Sequence, residues 1–393
     1  MSRPAENALS FFQSLIRNID WLLFGSAVLI SLAGLVTMNS FVGESPFVSR
    51  QVVWIALAVV VYFICSFIDF RFLRRTGVIV GLFAVICSVL LLLFGLGQVT
   101  RGVQSWFDFG FFSFQPSDMA KIILILLLSK YFSRRHVEIA HIRHILISGF
   151  YSMILFTLIL LQPDFGSAIV IFMIWFGMIM VSGISKKHLL AVFCVGLISV
   201  LLLWSFVFQD YQKQRILSFI YPLADIQGAG YNAYQSMVAV GSGELLGKGI
   251  GYGTQSKLLF LPEFQTDFIF AAFAEEWGFV GSIILIGLFS VLIWRIISNA
   301  MRGATNFETL FGLGVSILFM THLVINIGMN VGLLPVTGIT VPFMSYGGSH
   351  LLVEFATLGI ITGMARYGRP AHKEMVGNEI VGIHNATLPR RDI

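Results

Sequence analysis

The sequence predicts an all-α integral membrane protein with about ten transmembrane helices. Of its 393 residues 57% are hydrophobic and only 11% charged, whereas a soluble domain carries about 25% charged residues. Continuous apolar runs recur along the chain, several near the roughly 20 residues that a helix needs to cross a hydrocarbon core. The runs are unbroken rather than alternating, so helices, which satisfy their backbone hydrogen bonds internally, fit them and barrel strands do not.

Ten spans are expected, at 21–40, 52–68, 77–96, 119–132, 145–161, 168–184, 189–207, 268–294, 310–334 and 341–364. Residues 1–19 carry Arg3, Glu6 and Arg17 without a small-residue cleavage site, so the first span reads as a retained anchor. With a cytoplasmic N-terminus the inner loops gather most of the Arg and Lys, among them Arg71, Arg74, Arg75, Lys186, Lys187, Arg295 and Arg302. This positive-inside bias puts both termini, 1–19 and the tail 367–393, in the cytoplasm. It also explains a net charge of +5 without any nucleic acid, because the cations are distributed by loop rather than gathered into a patch. Cys65, Cys87 and Cys194 fall inside apolar runs and behave as small hydrophobes.

No repeat or linker divides the chain, so 1–393 reads as one polytopic domain. Its outlier is a large extracytoplasmic loop, 208–267, between the seventh and eighth spans. Loops of that length are functional or disordered, and its aromatic and leucine content argues for short amphipathic helices on the membrane surface, joined by Gly-rich turns. Two more outer segments are unusually polar, 100–118 and the Pro/Gly-interrupted 334–349.

Ionisable groups within spans are costly and default to functional hypotheses. Asp118 and Lys121 stand one helical turn apart and are expected to pair, either merely to neutralise each other or to line a polar cavity. Glu275 and Glu276 are expected about 12–13 Å below Asp267 at 1.5 Å per residue, and they and Glu354 are equally compatible with packing and with function. Asp267 and Asp164 each precede a span, where a carboxylate caps a helix or performs chemistry. Arg101, Arg215 and Lys248 are outer cations suited to a diphosphate, whose oxygens they would neutralise as it departs. His136, His141 and His144 lack the spacing of helical metal ligands and read as a solvated loop.

The segments FFSFQPSDMAKI, QPDFGSA, YQSMVAVGSGELLGKG, GTQSKLLFLPEFQTDFIFAAFAEEWG and GLLPVTGITVPFMSYGGS, in this order over about 20–369, resemble the SEDS family (shape, elongation, division and sporulation). The GTQS at 253–256 is more similar to its elongation branch than to its division branch. The resemblance implies a peptidoglycan glycosyltransferase of the bacterial cytoplasmic membrane. It would polymerise lipid II at the outer face during rod-shape maintenance, beside a class B penicillin-binding protein and with a divalent cation left open as cofactor. It implies Asp267 as the catalytic residue, acting as general base in an inverting transfer. It further implies a substrate cavity lined by Trp106, Gln115, Ser117, Asp118, Lys121, Asp164, Gln235, Ser236, Lys248, Glu263, Thr337, Ser345 and Tyr346. The chain departs from the family pattern at Asp118 (usually Glu), Gln265 (usually His), Thr340 (usually Pro) and His350 (usually Ser). A lipid flippase or transporter, a division-specific polymerase and a scaffold that only recruits the partner are the competing readings.

Overall fold

The computed structural model describes residues 19–41, 46–100, 103–110, 113–134, 142–183, 185–206, 210–221 and 230–386. The first helices are α1 (Trp21–Phe41), α2 (Pro46–Phe67) and α3 (Thr76–Leu96), with a 3-10 turn at Phe70–Arg74. Strands β1 (Gln98–Thr100), β2 (Val103–Asp108) and β3 (Ser113–Phe114) follow, then α4 (Pro116–Ser133), α5 (Ile142–Leu160), α6 (Phe165–Val181) and α7 (Lys186–Phe206). The 208–267 region holds α8 (Asp210–Ile220), α9 (Tyr231–Ser242) and the single turn α10 (Thr254–Lys257). The chain closes with α11 (Ile269–Ala300), α12 (Asn306–Asn330) and α13 (Gly348–Ala386).

Seven of these helices are long and apolar enough to cross a membrane: α1, α2, α3, α5, α11, α12 and α13 as far as Tyr367. The three remaining expected spans coincide with α4, α6 and α7. The apolar stretches of α6 and α7 are shorter, and α4 is interrupted by Asp118, Lys121 and Lys130. Three sequence expectations change. The last helix begins at Gly348 rather than 341, because 331–347 forms turns and extended backbone. The segment expected to be merely polar at 100–118 contains a small antiparallel sheet of order β1-β2-β3. His144 lies buried on α5, its Nδ1 2.8 Å from the Tyr131 hydroxyl, rather than in a solvated loop. His136 and His141 lie outside the described residues.

Helices α1 and α11 run side by side, clasped at both ends. At one end Arg295 grips Asp20 (Nη2–Oδ2 2.6 Å, Nε–Oδ2 3.0 Å), joined by Asn299 Nδ2 at 2.6 Å. At the other end Glu276 meets Ser40. About twenty residues separate the clasps on each helix, a rise of about 30 Å at 1.5 Å per residue, which equals a hydrocarbon thickness.

Two residues beyond Glu276 the helix α11 is broken at Gly278 (φ 67, ψ −165). The break releases backbone groups that a neighbouring loop takes up. Phe279 N donates to Glu244 O (2.9 Å) and Val280 N to Leu245 O (3.0 Å), while Lys248 N and Gly249 N donate to the carbonyls of Glu275 and Glu276 (3.0 Å each). The initial turns of α11 lie between Thr266 and the break. Thr266, just before them, accepts from Ser345, whose neighbour Met344 packs its carbonyl on Gly34, well inward of Ser40. Glu276, bonded to Ser40, sits level with the end of α1.

Gly278 cannot carry a side chain without strain, because its φ lies in the left-handed region and a Cβ would strike the 245–247 backbone. Gly278→Ala is expected to lose about 1–3 kcal/mol, read as a lower unfolding temperature in detergent. Gly287→Ala on the same helix, where a methyl meets nothing, is expected to leave that temperature unchanged. Burial would raise the Asp20 carboxyl, but Arg295, the Leu23 amide and Asn299 outweigh it and hold the group below its ordinary value. The stabilisation is then complete above the unfolded value, about 3.9, and fades as pH falls through the lower folded one. Wild type should lose unfolding temperature below about pH 4, and Asp20→Asn should flatten that part of the curve.

Candidate functional site

Two irregular segments, 263–268 and 331–347, meet at the end of the bundle where α11, α12 and α13 begin or end. Their backbones are hydrogen-bonded by named partners. Ser345 Oγ donates to Thr266 O (2.8 Å) and Tyr346 N to Gln265 O (2.8 Å), which locks one segment onto the other. The Asn326 amide donates to both Asp267 O (2.8 Å) and Ile339 O (2.7 Å), and Asn330 Nδ2 adds a bond to Asp267 O (3.2 Å). Gln51 of α2 holds the Ser345 carbonyl (3.3 Å) and the Gly347 amide (3.4 Å). Phe343, in a left-handed conformation (φ 63), donates its amide to Glu354 Oε2 at 2.7 Å.

Asp267 is thereby fixed through its main chain, one residue ahead of the α11 N-cap, Phe268, with its side chain half-buried. Its Oδ2 faces Gly338, and a methyl there would stand 3.5 Å from it. The N-cap position of α11 falls on Phe268, whose side chain makes no cap bond. Asp164 does cap its helix, with Oδ1 accepting from Ser167 N (3.0 Å) while Oδ2 accepts from Gln115 Nε2 (3.1 Å).

Nine of the other expected site residues fall into three groups. Thr337, Ser345 and Tyr346 lie on the segment facing Asp267, and Glu263 begins the turn that ends there, its Oε2 accepting from Thr266 Oγ1 (3.2 Å). Gln115 and Asp164 bind each other, and Ser117 lies beside Ser167 (3.4 Å). Ser236 is buried on α9, its hydroxyl bonded to Asn330 O and Oδ1 (3.0 and 2.9 Å), and half-buried Gln235 precedes it. So α9 packs on the bundle and is not simply an amphipathic surface helix. Trp106 sits half-buried on β2, paired in register with Gln98.

Arg101 lies outside the described residues, and Arg215 belongs to α8 with its side chain undescribed. Lys248, read as a diphosphate ligand, is instead bound to the buried Glu275 (Nζ–Oε1 2.7 Å) and to Thr254 Oγ1 (2.8 Å). Glu275 also accepts from Gln255 N (3.0 Å) and Ser256 Oγ (3.4 Å), and Glu276 from Gly251 N (2.5 Å). These carboxylates pin the 243–257 loop to the broken helix, which answers the open question about them in favour of structure. Asp118 pairs with Lys121 as expected (3.0 Å), but in a buried cluster that also contains His350 and Glu354.

Sequence reasoning missed Asn326, Asn330, His322 and Gln51. Each is an ordinary polar residue within an apolar run, where only the cost of an unpaired polar group marks it out. Among the described residues no group of three or more His, Cys, Asp or Glu side chains is arranged to hold a metal ion. Asn326→Leu is expected to orphan the Ile339 carbonyl and leave Asp267 O only its longer bond from Asn330, at about 1–3 kcal/mol, measured as a lowered unfolding temperature, and Asn330→Leu should cost less because Asp267 O keeps its shorter bond.

The family model for the cell cycle proteins FtsW, RodA and SpoVE matches residues 13–369. The peptidoglycan glycosyltransferase MrdB of Escherichia coli (strain K12) is 37% identical over 300 residues, 75% of this chain and 79% of its own. A chain from a peptidoglycan synthase complex, described for its structural coordination of polymerization and crosslinking, superposes with a TM-score of 0.76 at 29% identity, over 89% of this chain and 98% of that one. The rod shape determining protein RodA of Thermus thermophilus does so with a TM-score of 0.67 at 28% identity, over 88% and 96%.

Proposed function

The chain belongs to the FtsW, RodA and SpoVE family of cell cycle proteins, and from that premise we propose how this multi-pass membrane protein works as a peptidoglycan glycosyltransferase. Its substrate is lipid II, serving as both donor and acceptor at the outer face of the bacterial cytoplasmic membrane, with both termini inside. Its role is elongation of the wall in rod-shape maintenance.

The observation that carries the reading is a half-buried carboxylate, Asp267, held from behind by two asparagine amides and facing a glycine. Asp267 takes the proton from the 4-hydroxyl of the acceptor GlcNAc as that oxygen attacks C1 of the donor MurNAc. The new C1–O bond forms as the bond from C1 to the diphosphate oxygen breaks, and the diphosphate departs with the electron pair. Attack from the face opposite the leaving group inverts the anomeric centre. A positioned base contributes about 100- to 10,000-fold. Neutralising the departing charge falls to Arg101 and Arg215, the outer cations that the sequence leaves for it, since Glu275 already occupies Lys248. A class B penicillin-binding protein is the partner that cross-links the product, a reading supported by the likeness to a complex that coordinates polymerization with crosslinking.

The flippase reading would place its path through the charged cluster of Asp118, Lys121, His350 and Glu354. That cluster is instead paired within itself.

Asp267→Asn is expected to insert and unfold like wild type yet to lower glycan synthesis from purified lipid II, with the partner present, by about 100-fold or more. Strands of normal yield from that variant would overturn the assignment, and running the assay with and without chelator reads out any divalent cation.

A further inference from the structure

Behind the 331–347 segment lies a buried ionic cluster contributed by α4 and α13. Asp118 Oδ1 pairs with Lys121 Nζ at 3.0 Å, and Asp118 Oδ2 lies 3.2 Å from His350 Nδ1. His350 Nε2 lies 2.8 Å from Glu354 Oε1. Relative exposure of the four side chains is 4%, 5%, 14% and 5% for Asp118, Lys121, His350 and Glu354, and the ring of His322 stacks on that of His350. Both nitrogens of His350 lie within ion-pair distance of carboxylate oxygens, and Nε2 is hydrogen-bonded to Thr340 Oγ1.

The cluster does not stop at its own ion pairs. Thr340 Oγ1 bonds His350 Nε2 (3.0 Å), and the Thr340 carbonyl bonds His322 Nδ1 (3.2 Å). Glu354 spends its other oxygen, Oε2, on Phe343 N (2.7 Å). The segment so gripped is the one that binds Gln265 and Thr266 from Tyr346 and Ser345, and Ile339 shares the Asn326 amide with Asp267. A continuous path of polar contacts thus runs from α4, through one imidazole, to the residue proposed as base.

We propose that His350 is a positioning residue for glycosyl transfer. It joins Asp118 of α4 to Glu354 and Thr340, sets the height of the 339–346 backbone, and through it the direction of the Asp267 carboxylate. This rests on the functional reading above. A displacement of about 1 Å at a reacting group can cost as much as 100-fold in rate. His350 touches no substrate in this scheme, so its loss falls on turnover and not on affinity.

The test uses the full chain with its partner and purified lipid II. His350→Leu is expected to lower kcat on the order of 10- to 100-fold with KM changed less than about threefold, and His350→Gln, which keeps one donor, to recover part of it. Thr340→Val should lower kcat too, and adding it to His350→Gln should cost no more than the worse single change, because both cut one path. Losses that multiply, an unaltered kcat in His350→Leu, or a loss carried by KM would overturn the inference. A second arm needs no activity: the rate at which a small thiol reagent modifies Asp267→Cys should shift several-fold when His350→Gln is added, with unfolding temperatures of the two matched. An unchanged labelling rate sinks the positioning role even in an active enzyme. Shifted labelling in a chain whose wild type makes no glycan would count against the functional reading alone.

Discussion

Irregular backbone inside an apolar bundle must have its N–H and C=O groups answered by protein, because hydrocarbon offers no partner. That requirement organises the end of the molecule where Asp267 lies. The 331–347 segment interrupts what would otherwise be one long hydrophobic passage from α12 to α13, and its amides and carbonyls are met by Gln51, His322, Asn326, Ser345 and Glu354. Breaking α11 at Gly278 creates a second set of orphans, and the 244–249 backbone meets them. Non-helical geometry is tolerated where it is answered in this way, and the site occupies the place where 263–268 and 331–347 bond each other.

The same economy explains the buried charges. Glu275 and Glu276 act as acceptors for loop amides and hydroxyls, and Lys248 balances one of them. Glu354 caps the strained Phe343 amide with one oxygen and binds His350 with the other. Replacing such a group with an apolar one of similar size need not destabilise by itself, whereas removing one partner strands the rest. These ions therefore specify where backbone segments lie more than they add net stability.

Much of the helical plan is legible in the sequence because lipid imposes a length and a composition on each crossing, and hydrophobic runs report both. The ends of the runs are less legible. Residues 341–347 are apolar enough to read as helix, yet Phe343 adopts φ 63 and the helix waits until Gly348. The strands from 98 to 114 escape notice because three short pieces carry no helix-like period. The Asp118–Lys121 pair is visible from spacing alone, but its partners on α13 lie more than two hundred residues away and only folding joins them. Lys248 shows the converse error. A lysine in a Gly-rich outer loop reads as an open cation, and nothing local reveals that a broken helix brings Glu275 to it.

A general base needs two things that ordinarily conflict: a fixed direction and clearance for the group that approaches it. Here direction comes from the main chain, since the Asp267 carbonyl receives both Asn326 and Asn330 and the preceding carbonyl receives Ser345. Clearance comes from Gly338, whose φ of 75 favours glycine and whose missing side chain would otherwise stand against Oδ2. Backbone anchoring and an absent side chain together set where the acid lies, and they tie the chemistry to a glycine turn that in turn depends on Asn326, His322 and His350 for its place.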